Sequence, residues 1–288
     1  MATIGFIPHP NRPNAVNLAI ATAAWVAAQG HQAPVFSDDE FTDVDAPNDW
    51  DPAQREMARG LDLAVSLGGD GTMLRVVDLV SPYGVPLLGV NVGHMGFLTE
   101  VCPEELPQAL TQFLTGAYRI EERLTLAVEI RPKPGGGPVR TTTALNDAVL
   151  QRTSSGHTVR LAVSLNGTPF LTYTADSMIV TTPTGSTAYN LSARGPIASP
   201  RARVLVMTPV AAHMLFDRSL VLAEDEDITF EVMGDLRVEL VVDGQSAACL
   251  TAGDVVHCRA GDHNARFIEF GGRDFHHVLK QKFGSPER

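Results

Sequence analysis

The run Leu61 to Arg75, LDLAVSLGGDGTMLR, places the tightest constraint on how this chain can fold. Its first seven positions are dominated by apolar residues, as in a short buried strand. Gly68, Gly69 and Gly71 then bracket Asp70, and Thr72, a residue able to cap a helix, precedes apolar residues at helical spacing from Met73 to Val80. Strand, glycine turn and helix in that order aim unpaired backbone N–H groups and the positive end of a helix dipole at one point, and phosphate suits both. Asp70 is the odd member. A carboxylate in a phosphate cradle repels the ligand unless it acts through Mg²⁺ or accepts a proton, and a structural turn has no need of it. The stretch fits neither the P-loop pattern, which wants Lys after the last glycine, nor the G-x-G-x-x-G pattern.

The 288 residues suffice for two domains with a substantial core in each. A formal charge of -11 argues against nucleic acid or an anionic membrane as partner, so a phosphate site here has to be local, built from backbone donors and a few arginines. Cys102, Cys249 and Cys258 are odd in number and lack C-x-x-C spacing, which suits small buried thiols in a cytoplasmic protein. No apolar run reaches the roughly eighteen residues of a spanning helix, and no signal-peptide pattern opens the chain.

Ala2 to Ile7 reads as a first strand and Asn14 to Gln29 as a helix ended by Gly30. Pro34 to Phe36 reads as the opening of a short strand, and the Asp-rich Ser37 to Pro52 as a solvated loop. A short helix before Gly60, a strand over Pro86 to Val90, a second glycine-rich loop from Gly89 to Leu98 containing His94, and a helix over Pro103 to Leu114 complete an alternating α/β pattern. From about Arg119 the pattern turns to strands: Leu124–Ile130, Thr141–Leu150, Val159–Leu165, Phe170–Thr174, Ser177–Thr181, Val204–Met207, Ile228–Val232, Val238–Val242 and Val255–Cys258. Asn166-Gly167 and Asp243-Gly244 mark hairpins. A strand over Arg266 to Phe270 and a helix over Asp274 to Phe283 close the chain. The fold class expected is α/β plus all-β. Residues 1–118 with 267–288 form a Rossmann-like α/β domain on a parallel sheet, and 119–266 a mostly antiparallel, β-sandwich-like domain, with the last strand and helix returning to the first.

One stretch of the β domain breaks the strand pattern, Thr181 to Ile197, where small hydroxyl-bearing residues lead into a short helix. Tyr189 offers a ring face for a base, and Ser192 a hydroxyl three residues on along the same side. Asn146-Asp147 interrupts an apolar run with an amide and a carboxylate, which suit a sugar diol or the edge of a base. Asp176 sits similarly before Ser177 to Thr181.

The order and separation of Gly68-Gly69-Asp70-Gly71-Thr72, Asn146-Asp147 and Thr182 to Ile197 resemble the NAD kinase family, and Asn91 to Leu98 and Gly244-Gln245 agree with it. The resemblance implies ATP- and Mg²⁺-dependent phosphorylation of the 2′-hydroxyl of the adenosine ribose of NAD, giving NADP. It makes Asp70 the proton acceptor, with Gly68, Gly69, Gly71 and Thr72 on phosphates and Arg75 one helical turn along. It places Asn146 and Asp147 on adenosine, Asp176 and Ala188 near the nicotinamide end, and Tyr189 and Ser192 against bases. Thr187, Asn190 and Leu191 share that helix, and His157, Thr174, Ala211 and Gln245 are further NAD contacts. It also implies homo-oligomers, commonly tetramers, with sites completed by a neighbouring subunit, and leaves polyphosphate open as a donor. Three positions depart from the family pattern: Asp147 stands where Glu is common, Arg194 where Gly is usual, and Thr174 where some members carry Arg. Two other readings use the same residues. A lipid or sphingoid kinase shares the glycine turn but leaves Thr182 to Ile197 unexplained, and a non-catalytic NAD(P)-binding regulator leaves Asp70 unexplained.

Overall fold

The computed structural model describes residues 1–36, 50–93, 96–154, 157–271 and 275–283. The acidic stretch 37–49, His94 and the helix start expected at Asp274 fall outside them. In chain order the elements are β1 (Ile4–Pro8), α1 (Pro13–Ala28), α2 (Pro52–Arg59), β2 (Leu63–Gly68), α3 (Asp70–Val80), β3 (Leu87–Asn91), α4 (Leu106–Leu114) and β4 (Arg119–Arg123). They continue with β5 (Leu126–Arg131), β6 (Arg140–Ala144), β7 (Asp147–Arg152), β8 (Val159–Leu165), β9 (Thr168–Ala175), β10 (Ser177–Thr181), α5 (Tyr189–Ser192), β11 (Val204–Val210) and β12 (Leu220–Ala223). Last come β13 (Ile228–Val232), β14 (Val238–Val242), β15 (Gln245–Leu250), β16 (Val255–Ala260), β17 (Ala265–Glu269) and α6 (Phe275–Phe283). The described residues form two compact units, one holding those up to 122 and from 265 onward, the other 123–264.

The first unit is built on a five-stranded sheet of order β1-β2-β3-β17-β4. β1, β2, β3 and β17 pair in parallel, so Pro8, Gly68 and Asn91 come together at the carboxyl edge. Every residue of β2 is buried, which accounts for its near-continuous apolar run. α1 lays Ala15, Ala19, Ala23 and Val26 into the core beside Ile4, Phe6, Leu63 and Val65; small residues at that spacing let the helix lie close to the sheet. Three expectations are corrected here. α3 begins at Asp70, with the extended backbone of Gly69 as its N-cap, so Thr72 lies inside the first turn rather than capping it; its side chain is buried there. Val35 makes one isolated bridge to Phe6 instead of opening a strand. β4, read as the start of the β domain, hydrogen-bonds into the sheet of the first unit.

The second unit is a sandwich of two six-stranded sheets, β12-β11-β10-β7-β14-β15 and β6-β5-β16-β13-β8-β9, in which all neighbouring strands pair antiparallel. Alternating residues of both, among them Val128, Leu161, Met178, Phe230 and Leu240, make one core. Asn166-Gly167 and Asp243-Gly244 have φ of 51 and 73° and of 48 and 82°, the paired left-handed residues a type I′ turn requires. The single strand expected over Thr141 to Leu150 is two strands in opposite sheets, broken at Leu145-Asn146. Among the described residues no helix is long and apolar enough to cross a membrane.

Candidate functional site

At the carboxyl edge of the first unit the chain leaves β2 at Gly68 and enters α3 at Asp70, so one residue makes the whole turn. No side chain caps α3, which leaves its first N–H groups directed outward beside the Asp70 carboxylate. That carboxylate is fixed from the other side by the second glycine loop: Phe97 N–H donates to Oδ2 at 2.8 Å and Leu98 N–H to Oδ1 at 3.1 Å. Gly96 is the reason the loop can come so near, because a Cβ there would stand 1.8 Å from Oδ1. Arg75, one turn along α3, stacks over Trp50 with 5.3 Å between guanidinium carbon and ring centroid. The second glycine-rich loop thus acts as a clamp on Asp70.

In the second unit Asn146 and Asp147 occupy the corner between the two sheets. The Asp243 carboxylate holds this corner, accepting from the N–H groups of Leu145 at 2.7 Å, Asn146 at 2.8 Å and Asp147 at 3.1 Å. Asp243 N–H in turn donates to the Asp147 carbonyl at 2.9 Å. Sequence reasoning took Asp243 only as a hairpin residue; its position one strand from Asp147 becomes visible once β14 pairs with β7. On the other flank Thr182 N–H and the Thr181 hydroxyl donate to the Asn146 carbonyl at 2.9 and 2.8 Å.

Asp147 is 5 % exposed, and burial first, then the neighbouring Asp243 charge, pushes its carboxyl up to about 7. In an unfolded chain an aspartate titrates near 4. The folded state therefore binds more protons across the interval between, and its stability falls as pH rises through that window. Asp147→Asn, which keeps the shape without the charge, is expected to melt above the parent at pH 8. The gap should close below about pH 4, where both forms are neutral. Parallel melting curves across that range would show that Asp147 is ionised at little cost.

The Thr181 to Ile197 run forms a 3₁₀ turn at Gly185–Thr187 followed by the four residues of α5. Its hydroxyls do not all face outward as their number suggests. The Ser186 hydroxyl donates to Pro183 O at 2.6 Å and accepts from Ala198 N–H at 3.0 Å, and Thr182 donates to Leu145 O. Asn190 is wholly buried; its amide donates to Ser186 O and Pro196 O and accepts from the Thr208 hydroxyl at 2.7 Å. What α5 presents outward is Tyr189, 40 % exposed, and the exposed Ser192. Thr187 and Ala188 are half-buried beside them. Arg194 adopts φ of 63°, which agrees with the glycine usual there in the family the motifs resemble.

Not all the residues singled out from sequence come together. Asn146, Asp147, Thr187 to Ser192 and Gln245 gather at one end of β7 and β10. Asp176, Thr174 and Ala211 lie at the other end, where Asp176 N–H donates to Val210 O and His213 N–H to Thr174 O. Arg152 bridges this second group, reaching Asp176 at 3.2 Å and the carbonyl of His157 at 3.3 Å. Five residues of strand separate the ends, a span of about 20 Å. Arg152 gave no signal in sequence, since it ends an ordinary strand.

The chain thus holds a parallel α/β unit with a clamped carboxylate in a glycine turn and, separately, a β-sandwich unit with a polar corner and an exposed aromatic ring. The ATP-NAD kinase N-terminal domain matches residues 4–118, and the ATP-NAD kinase C-terminal domain matches residues 145–270. The chain belongs to the ATP-NAD kinase family. A relative from Heliobacterium modesticaldum named NAD kinase is 37 % identical over 283 residues, covering 98 % of each chain. Among solved structures, a yeast NADH kinase complexed with NADH aligns with a TM-score of 0.82 at 22 % identity over 100 % of this chain and 89 % of its own. An Archaeoglobus fulgidus NAD kinase in complex with ATP aligns with a TM-score of 0.73 at 21 % identity over 96 % and 98 %. These two likenesses establish the fold. The lipid-kinase and regulator readings are not favoured.

Proposed function

We propose that this NAD kinase moves the γ-phosphoryl group of ATP to the 2′-hydroxyl of the adenosine ribose of NAD, with Asp70 as proton acceptor. The observation that carries the assignment is the Asp70 carboxylate, held in one orientation by two N–H donors beside an uncapped helix N-terminus. The bond from the 2′-oxygen to the γ-phosphorus forms as the bond from that phosphorus to the β,γ-bridging oxygen breaks. The hydroxyl proton passes to Asp70 late in the step. Such transfer is mostly positioning and charge stabilisation, so one well-placed carboxylate is sufficient. Mg²⁺ enters with the donor, as MgATP.

Gly68, Gly69, Gly71 and Thr72 supply turn amides to phosphates, with Arg75 behind them. Asn146 and Asp147 take the adenosine of NAD, Tyr189 and Ser192 its bases, and Ala188 and Asp176 the nicotinamide end. Thr187, Leu191 and Asn190 contribute through the backbone of their turn, since the Asn190 amide is spent inside the protein. His157, Thr174, Ala211 and Gln245 complete the contacts. The span of about 20 Å between the Asn146 and Asp176 groups supports a homo-oligomer, a tetramer in our reading, in which one subunit lends its Asp176 group to a neighbour's NAD. The setting is cytoplasmic.

The test is NADP formation from NAD with ATP and Mg²⁺ against a control without ATP. ATP-dependent NADP is the expected result; NAD binding without any product would move the chain to the regulator reading.

A further inference from the structure

The sequence reading placed the phosphate-binding groups on β2 and α3 alone, but the loop after β1 shares their edge of the sheet. His9 N–H donates to the Leu67 carbonyl at 2.8 Å, one residue before the glycine turn. Arg12 is the N-cap of α1, a sixteen-residue helix whose first turn has Pro13 and no side-chain cap. Its Nη1 donates to the Val92 carbonyl at 2.9 Å, and Val92 N–H donates to the Gly68 carbonyl at 2.9 Å, so the guanidinium is tied to the turn through one residue. The same Nη1 lies 2.7 Å from where a Cβ on Gly93 would stand. Among the described residues Arg12 has no carboxylate partner, although the chain carries a formal charge of -11.

Two further observations point to an anion here. Thr72 is 7 % exposed, and its hydroxyl, packed against Gly68 in the first turn of α3, has no hydrogen-bond partner. The His9 ring accepts from Asn11 N–H at Nδ1, and burial followed by the charges of Arg12 and Arg75 holds its pKa below the ordinary value, a mark of positive potential at this edge. Arg12 and Arg75 thus both act on His9, and the Arg12 guanidinium is tied through Val92 to the Gly68 end of β2, next to the uncapped N-terminus of α3, in a chain whose overall charge repels anions.

We propose that the His9–Arg12 loop forms, with the Gly69–Thr72 turn, the site for the phosphate chain of the phosphoryl donor, Arg12 gripping it through its guanidinium. The inference rests on the kinase reading and adds to it the place where the donor is held. A linear chain of phosphates is the chemistry required, whether the triphosphate of ATP or inorganic polyphosphate.

The test compares the parent with Arg12→Gln, Arg12→Lys and His9→Gln. Each is measured for the KM of ATP, the KM of NAD, NADP formation with tripolyphosphate as donor, and tripolyphosphate affinity by calorimetry. For Arg12→Gln a rise in the KM of ATP of roughly tenfold or more, and an equal loss of tripolyphosphate affinity, are expected, since one charge-assisted contact is removed. The KM of NAD should stay within about twofold, and Arg12→Lys should recover part of the loss. Rate with tripolyphosphate tells which donor the site serves, and its loss in Arg12→Gln alongside that with ATP supports one site for both. Parent values of the KM of ATP and of tripolyphosphate affinity in Arg12→Gln would overturn the proposal. Should Arg12→Gln fail to fold, Arg12→Lys and His9→Gln are read against the same two quantities. A parent that binds tripolyphosphate through Arg12 yet makes no NADP would remove the kinase reading and leave the anion site standing.

Discussion

Asp70→Asn is expected to lower kcat by roughly a thousandfold, in the range a positioned general base contributes, with the Kd of NAD changed by less than about threefold. The asparagine has the size of the aspartate but cannot take the hydroxyl proton. It also offers one oxygen where Phe97 and Leu98 N–H now address two, so the new side chain is held less firmly as well. NAD affinity should survive because the residues assigned to adenosine, Asn146 and Asp147, belong to the second unit and are anchored by Asp243. Steady-state NADP formation and calorimetry with NAD separate the two effects. Turnover near the parent value would take Asp70 out of the proton-transfer step.

Gly96→Ala should cost nearly as much, about a hundredfold in kcat, though residue 96 carries no chemistry of its own. The added methyl would lie 1.8, 2.6 and 2.4 Å from the two oxygens and Cγ of Asp70, so the carboxylate has to leave its two N–H donors. A displacement of about 1 Å in a reacting group is enough for a loss of that size. A double-mutant cycle identifies the route. If Gly96 acts only by placing Asp70, Asp70→Asn with Gly96→Ala turns over no more slowly than Asp70→Asn alone. A further hundredfold fall in the double variant would mean that the loop has a separate task.

The division into α/β and β segments could be read from the switch between helical and alternating periodicity, and the hairpins at Asn166 and Asp243 from the left-handed pairs they need. β12 and β15 escaped notice for a physical reason. One has four residues and the other runs QSAACL, so neither shows enough alternation to distinguish strand from loop. β4, with the sequence RIEER, looks like a solvent-facing hairpin arm, and only pairing reveals that it edges the first sheet. The break in Thr141 to Leu150 depends on Asp243, about a hundred residues later, drawing three N–H groups out of strand geometry.

The candidate site divides along the same line. Motifs carried in one stretch, such as the turn at Asp70 or the helix at Tyr189, were visible. Their supports were not, because the Asp70 clamp spans 27 residues and the Asp243 anchor 97. Which hydroxyls in Thr181 to Ile197 bond the backbone beneath is not legible in the sequence. The Ser186 and Thr182 hydroxyls hold the turn in shape so that Tyr189 and Ser192 are the groups presented.

The Asp243 anchor also bears on how this protein acquires its binding corner. Loop closure over a distance of about a hundred residues has to precede the three hydrogen bonds that reward it. A chain emerging during synthesis therefore holds Asn146 and Asp147 long before it holds the carboxylate that shapes them. The corner is complete only when the end of β14 is in place, and a chain without it holds Asn146 and Asp147 but not the carboxylate that shapes them.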